Sequence, residues 1–223
     1  MSARGIILSR TEMTNGYFCG CVAIERGVTW EQVRLLSAPG VHLHPNQFRV
    51  ASVALRARWK PGREIFLPEP DVFEARRTHP EDRLVDPKAI RFGQQAEAAK
   101  IQSAVSAFSF GSLAELFPNV LLQGNGKAYV PGDRPSPRSV GYVPCERITV
   151  AEDEFATVRT AGGDDLTCKV KSEIFLEKIR SEQIGSGENY PARLVRLGLA
   201  NPSDWEGRFN PPRCYVMLTG TIR

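Results

Sequence analysis

The chain has 223 residues, 42% apolar and 24% charged, with a formal net charge of +4. That profile fits one large globular domain or two small ones, each with a modest core. The longest apolar run near the start, Ile6-Ile7-Leu8, is far short of the ~20 residues a membrane helix needs. Residues 1–10 lack the pattern of a secretory signal, so a cytoplasmic protein without a membrane partner is expected. Five cysteines, odd in number and sparse, predict reduced thiols rather than a disulfide framework.

The first third reads as strands. Gly5-Ile6-Ile7-Leu8-Ser9 and residues 19–24 are apolar runs on either side of a polar turn carrying Asn15-Gly16, a dipeptide that favours hairpins. A third segment, 30–36, stops at Pro39-Gly40. Residues 49–60 alternate: Val53, Leu55, Ala57 and Trp59 share one face of a predicted strand, and Arg56, Arg58 and Lys60 share the other, before Pro61-Gly62 ends it. Residues 94–108 place Ile101, Val105 and Phe108 at helical spacing. Ser112-Leu113-Ala114-Glu115 fits a capping box that opens a short helix before Pro118. Residues 131–138 hold three prolines and predict a linker. Strand patterns return at 139–150, 155–160 and 166–170, then a brief helix capped by Ser172, a long loop over 201–212 and a closing strand from Cys214. The expected architecture is mostly β (α+β): two OB-like β-barrel halves with a few short helices, residues 1–135 with a helical insert and residues 136–223.

Several of these segments carry a family resemblance. Gly5-Ile6-Ile7-Leu8-Ser9, Cys21-Val22-Ala23 and Trp30…Val33-Arg34-Leu35-Leu36-Ser37 are similar to the opening of the dual OB-containing domain family. His79-Pro80-Glu81-Asp82 looks like that family's Pro-Glu-Asn/Asp element, and residues 194–199 and 213–222 resemble its ending. Two features depart from the pattern: the helical insert at 94–108, and an arginine, Arg34, further from Trp30 than the third strand of the family has it. The resemblance implies two OB-like barrels and a non-catalytic role in nucleic-acid binding within prokaryotic conflict and antiviral defence systems.

Charge is uneven. Residues 1–67 hold 9 Lys or Arg against 4 Asp or Glu, residues 68–147 hold 10 of each, and the remainder 10 against 11. The cationic excess of the first third points to a polyanionic partner. In the predicted strand, Arg56, Arg58 and Lys60 would stand ~6.5–7 Å apart, a repeat suited to the phosphates of a single strand. Arg34 and Arg63 would widen that patch; Tyr17, beside a turn, is the favoured stacking ring. The plain alternative is a charged strand face that keeps an edge soluble.

Other chemistry finds less support. Cys19-x-Cys21 with His42-x-His44 supplies four zinc-type ligands, but one-residue spacing suits a tetrahedral site poorly, so no metal or other cofactor is expected. His79 with Glu81 and Asp82 is a His–carboxylate cluster capable of acid–base work, yet Pro80 suggests a rigid turn with capping carboxylates. No nucleophile elbow or phosphate loop accompanies it, so no catalytic residue is assigned. The leading expectation is single-stranded nucleic-acid binding; the alternative is an adaptor or sensor subunit docking an effector such as an ATPase or nuclease.

Overall fold

The computed structural model describes residues 2–12, 18–37, 57–72, 79–134, 136–204 and 207–223. Two compact units emerge: Met1–Arg76 with Glu81–Phe108, and Arg77–Pro80 with Ser109–Arg223.

In the first unit, β1 (Ser2–Glu12), β2 (Phe18–Arg26) and β3 (Thr29–Ser37) form an antiparallel meander. β4 (Arg63–Pro68) pairs antiparallel with the free edge of β1. The short β5 (Asp71–Val72) flanks β6 (Asp82–Val85), which lies parallel to β3, and β7 (Arg91–Gln95) lies antiparallel to β4. β3 runs with β1 and β4 runs against it, so β6 and β7 point the same way. They are two pieces of one closing strand, interrupted around the 3-10 turn Pro87–Ala89. α1 (Ala98–Ser106) follows, and its Ser103 hydroxyl accepts the Trp30 indole N–H at 3.1 Å. Ile7, Val22, Ile24, Val33, Trp59 and Ile65 form the core. Trp59 donates to the Ser9 carbonyl at 3.0 Å and fills the space left by Gly20, where a Cβ would collide with the indole.

The second unit repeats the circuit with more decoration. α2 (Leu113–Leu116), β8 (Leu121–Leu122) and β9 (Ala128–Pro131) precede β10 (Val140–Val150), β11 (Phe155–Thr160) and β12 (Asp165–Val170). Then come α3 (Glu173–Ser181), β13 (Asn189–Tyr190), β14 (Leu194–Leu199) and β15 (Arg213–Ile222). β10, β11 and β12 form the meander, β15 joins β12 in parallel, and β14 lies antiparallel between β15 and β10. This five-stranded closed barrel, with a helix between its third and fourth strands, is the OB topology. Ser112 and Ser172 cap α2 and α3, each hydroxyl accepting a backbone N–H at 3.2 Å. Glu115 turns back to the Gly111 N–H, one residue before the position a strict capping box uses. The chain is thus mostly β, with two OB-like barrel halves and few short helices.

Three expectations need correction. The strand expected over residues 49–60 is not there at its described end: Ala57 and Arg58 are helical. They lie between β3 and β4, the place α3 holds in the second circuit. The segment is rich in Ala, Leu and Arg, strong helix formers, and that propensity outweighs the two-residue alternation. Residues 49–56, Arg56 included, lie outside the described residues. The proline-rich stretch from 131 is no boundary between halves, because β9 pairs with β15 (Tyr129 opposite Tyr215) and Gly132 donates to the Pro212 carbonyl. The units divide instead at Phe108/Ser109, so residues 109–135 belong with the second barrel rather than the first. The helix expected over 94–108 is shorter, since Gln94 and Gln95 end β7.

Candidate nucleic-acid interface

The described members of the expected cationic patch separate into two groups. Arg34 is removed from it. On β3 it stands opposite Asp82 of β6, and its Nε and Nη2 grip both carboxylate oxygens, the second at 2.8 Å. The Asp82 side chain is fully buried and that of Arg34 is 12% exposed. Burial is the largest influence and opposes the charged form, yet the Asp82 hydrogen bonds, with the attraction of Cys19, Asp82 and Cys21, together outweigh it and hold the guanidinium above its ordinary value. A bidentate, desolvated pair of this kind fixes β6 against β3 and offers nothing to a ligand.

Arg58, Lys60 and Arg63 remain together. The first two are exposed; Arg63 is half-buried and donates to the Gly93 carbonyl at 2.7 Å. Phe92 of β7 supports the two arginines. The Arg58 guanidinium carbon lies 4.6 Å from its ring centroid and that of Arg63 5.5 Å. The face of the ring attracts both cations, and Trp59 meets the same ring edge-on at 5.9 Å. No carboxylate lies within ion-pair distance of Arg58 or Lys60 among the described residues. The sequence reading named Arg58, Lys60 and Arg63 but not Phe92, whose place beside Arg58 and Arg63 depends on the pairing of β4 with β7. Tyr17 lies outside the described residues.

The remaining candidates hold structural positions. His79 is fully buried, its Nε2 3.1 Å from the Asn201 side-chain oxygen, while Asp82 serves Arg34. Cys19 and Cys21 are buried thiols of β2, and contact with Cys21 together with burial pushes the Cys19 thiol well up. His42 and His44 lie outside the described residues. Among the described residues no cluster of three His, Cys, Asp or Glu is arranged to hold a metal, and no helix is long and apolar enough to cross a membrane. None of the five cysteines forms a disulfide.

No protein-family model and no curated protein matches the chain. Among solved structures it is similar to the Ifi202 HINa domain in complex with 20-bp dsDNA, at 9% identity and a TM-score of 0.40, over 100% of this chain and 97% of that one. It is similar as well to the p204 HINb domain, at 12% identity and 0.38, over 96% and 95%. A murine DNA-binding protein bound to dsDNA is a further likeness, at 11% identity and 0.32, over 100% and 98%.

Proposed function

We propose that this chain is a non-catalytic nucleic-acid-binding protein that takes single strands through backbone charge contacts at Arg58 and Lys60. One observation carries the reading. Both cations are exposed and without carboxylate partners among the described residues, and Arg58 is held on the ring of Phe92 at 4.6 Å. A fixed cation beside an aromatic ring, on an OB-like barrel, is the combination that single-strand binders use. Arg63, occupied by Gly93, orders the cluster more than it offers charge. The resemblance to the dual OB-containing domain family, and the defence setting it implies, belong to the same proposal. A helicase or nuclease encoded beside this chain would support them.

Fluorescence anisotropy of a labelled single strand across ionic strength tests the site. Affinity should fall steeply with salt, and an Arg58→Ala/Lys60→Ala variant should flatten the log–log slope by ~0.7 for each phosphate that is no longer neutralised. Unchanged affinity and slope in a folded variant would remove these residues from the interface.

An adaptor role is favoured by a separate observation. Leu121 and Leu122 of the edge strand β8 are 44% and 52% exposed. It predicts co-purification with an effector subunit that withstands salt and is lost in a Leu121→Lys/Leu122→Lys variant.

A further inference from the structure

The outer face of the second barrel carries a track of rings and cations that composition does not reveal. On β15, Cys214, Val216 and Leu218 enter the core, so Arg213, Tyr215 and Met217 lie on the outside. Tyr129 of β9 stands opposite Tyr215, their ring centroids 5.9 Å apart. Phe209, from the loop that leads into β15, approaches Tyr215 at 6.5 Å. The Arg213 guanidinium is clasped between two of these rings, 3.9 Å from the centroid of Phe209 and 4.5 Å from that of Tyr129. Strand pairing extends the row: Met217 is opposite Lys169 of β12, and Lys169 is opposite Phe155 of β11. The Lys127 ammonium lies 5.8 Å from the Phe155 ring.

All four rings are half-buried, and Lys169 is exposed. Neither Arg213 nor Lys169 has a carboxylate within ion-pair distance among the described residues. A single ring would suffice to pin Arg213 against the barrel. Two rings stacked on one guanidinium, a third at their edge and a fourth beyond an open lysine make a rigid surface in which apolar faces alternate with positive charge. That alternation matches a polymer of flat bases on a phosphate backbone, and adjacent strands ~4.8 Å apart allow successive bases to reach successive rings.

We infer that this face, from Phe155 across Tyr215 to Phe209, is a second nucleic-acid site that binds unpaired bases by stacking. The inference rests on the reading that the chain binds nucleic acid, and differs from it in place and in chemistry: rings in the second unit, rather than cations in the first.

The experiment compares a labelled oligothymidylate with a strand of equal length carrying abasic sites, since only the former can stack. The wild-type chain should prefer the base-bearing strand about tenfold or more. Tyr129→Leu/Phe209→Leu, which keeps apolar bulk but removes the rings, should lose most of that preference. Arg58→Ala/Lys60→Ala should keep it while its salt slope flattens. Full preference in the ring variant, or none in the wild-type chain, overturns the inference. Failure of the wild-type chain to bind either strand overturns it together with the reading on which it rests. An effect of the ring variant without an effect of the cation variant overturns only the site at Arg58 and Lys60. As a check free of mutations, a 5-iodouracil strand irradiated with the wild-type chain should crosslink at Phe155, Tyr129, Phe209 or Tyr215. Adducts confined to the first unit overturn the inference.

Discussion

The two units share a strand circuit and differ in what meets the charged side chains at the closing strand. In the first, Arg4 pairs with Glu64, Arg26 with Glu31 and Glu69, Arg34 with Asp82, Arg83 with Glu31, and Lys100 with Glu25. Its closing strand is broken, and Arg34–Asp82 lies where the first piece, β6, docks. In the second, the closing strand β15 is continuous, and its cation, Arg213, leans on two aromatic rings instead of a carboxylate. The same topology therefore permits two solutions. A barrel whose closing strand is short gains from charges that hold its pieces in register. The second barrel is closed by one unbroken strand of ten residues, and Arg213 on its outer face is held by rings.

The largest expected effect bears on that clamp. Asp82→Ala would leave the Arg34 guanidinium buried without its partner and should destabilise the first unit by about 3–5 kcal/mol in urea unfolding. In the second unit Arg159 and Asp165 are 38% and 57% exposed, and Asp165→Ala should cost under about 1 kcal/mol. Equal losses would break the contrast. Arg34→Met/Asp82→Leu, which removes both charges, should recover most of the loss.

Thiol reactivity sharpens the comparison of the two cores. Burial pushes Cys168 up to about 12 and Cys214 to about 11, so at pH 8 very little of either is thiolate. Cys145 is also raised by burial but is partly exposed, and should react with maleimide about tenfold faster or more than Cys168, read by mass spectrometry. Cys19 and Cys21 should label as slowly as Cys168. Rapid labelling of that pair alone would mean that the first unit opens without the second.

The smallest effect concerns the turn between β10 and β11. Asp153 and Glu154 both adopt positive φ, +56° and +62°, a conformation glycine takes without steric cost. Glu154→Gly should stabilise the second unit by up to about 1 kcal/mol, seen as a higher denaturant midpoint, because the relief of strain exceeds the entropy that glycine adds. A destabilised variant would show that the Glu154 side chain, 3.9 Å from Arg180, matters more than its backbone.

Local features were legible in the sequence. The runs at 5–9, 19–24, 155–160 and 166–170 are strands, and Ser112 and Ser172 cap helices, because alternation and capping depend on neighbours a few residues apart. Residues 57–60 misled because period-two spacing and high helix propensity coincide there. For Arg34 the reason is different. Counting cations does not say which meet a carboxylate, and Arg34 finds Asp82 only through the pairing of β3 with β6.

The sequence by itself determined the strands at 5–9, 19–24, 155–160 and 166–170, the serine caps of two helices, and that there are two β-rich halves. Only the tertiary structure decided where the halves part, which cations stay open, and that Tyr129, Phe209 and Tyr215 gather around Arg213. The reason is range. Periodicity and capping act along the backbone within one or two turns, whereas a binding face is assembled by strand pairing between residues far apart in the chain.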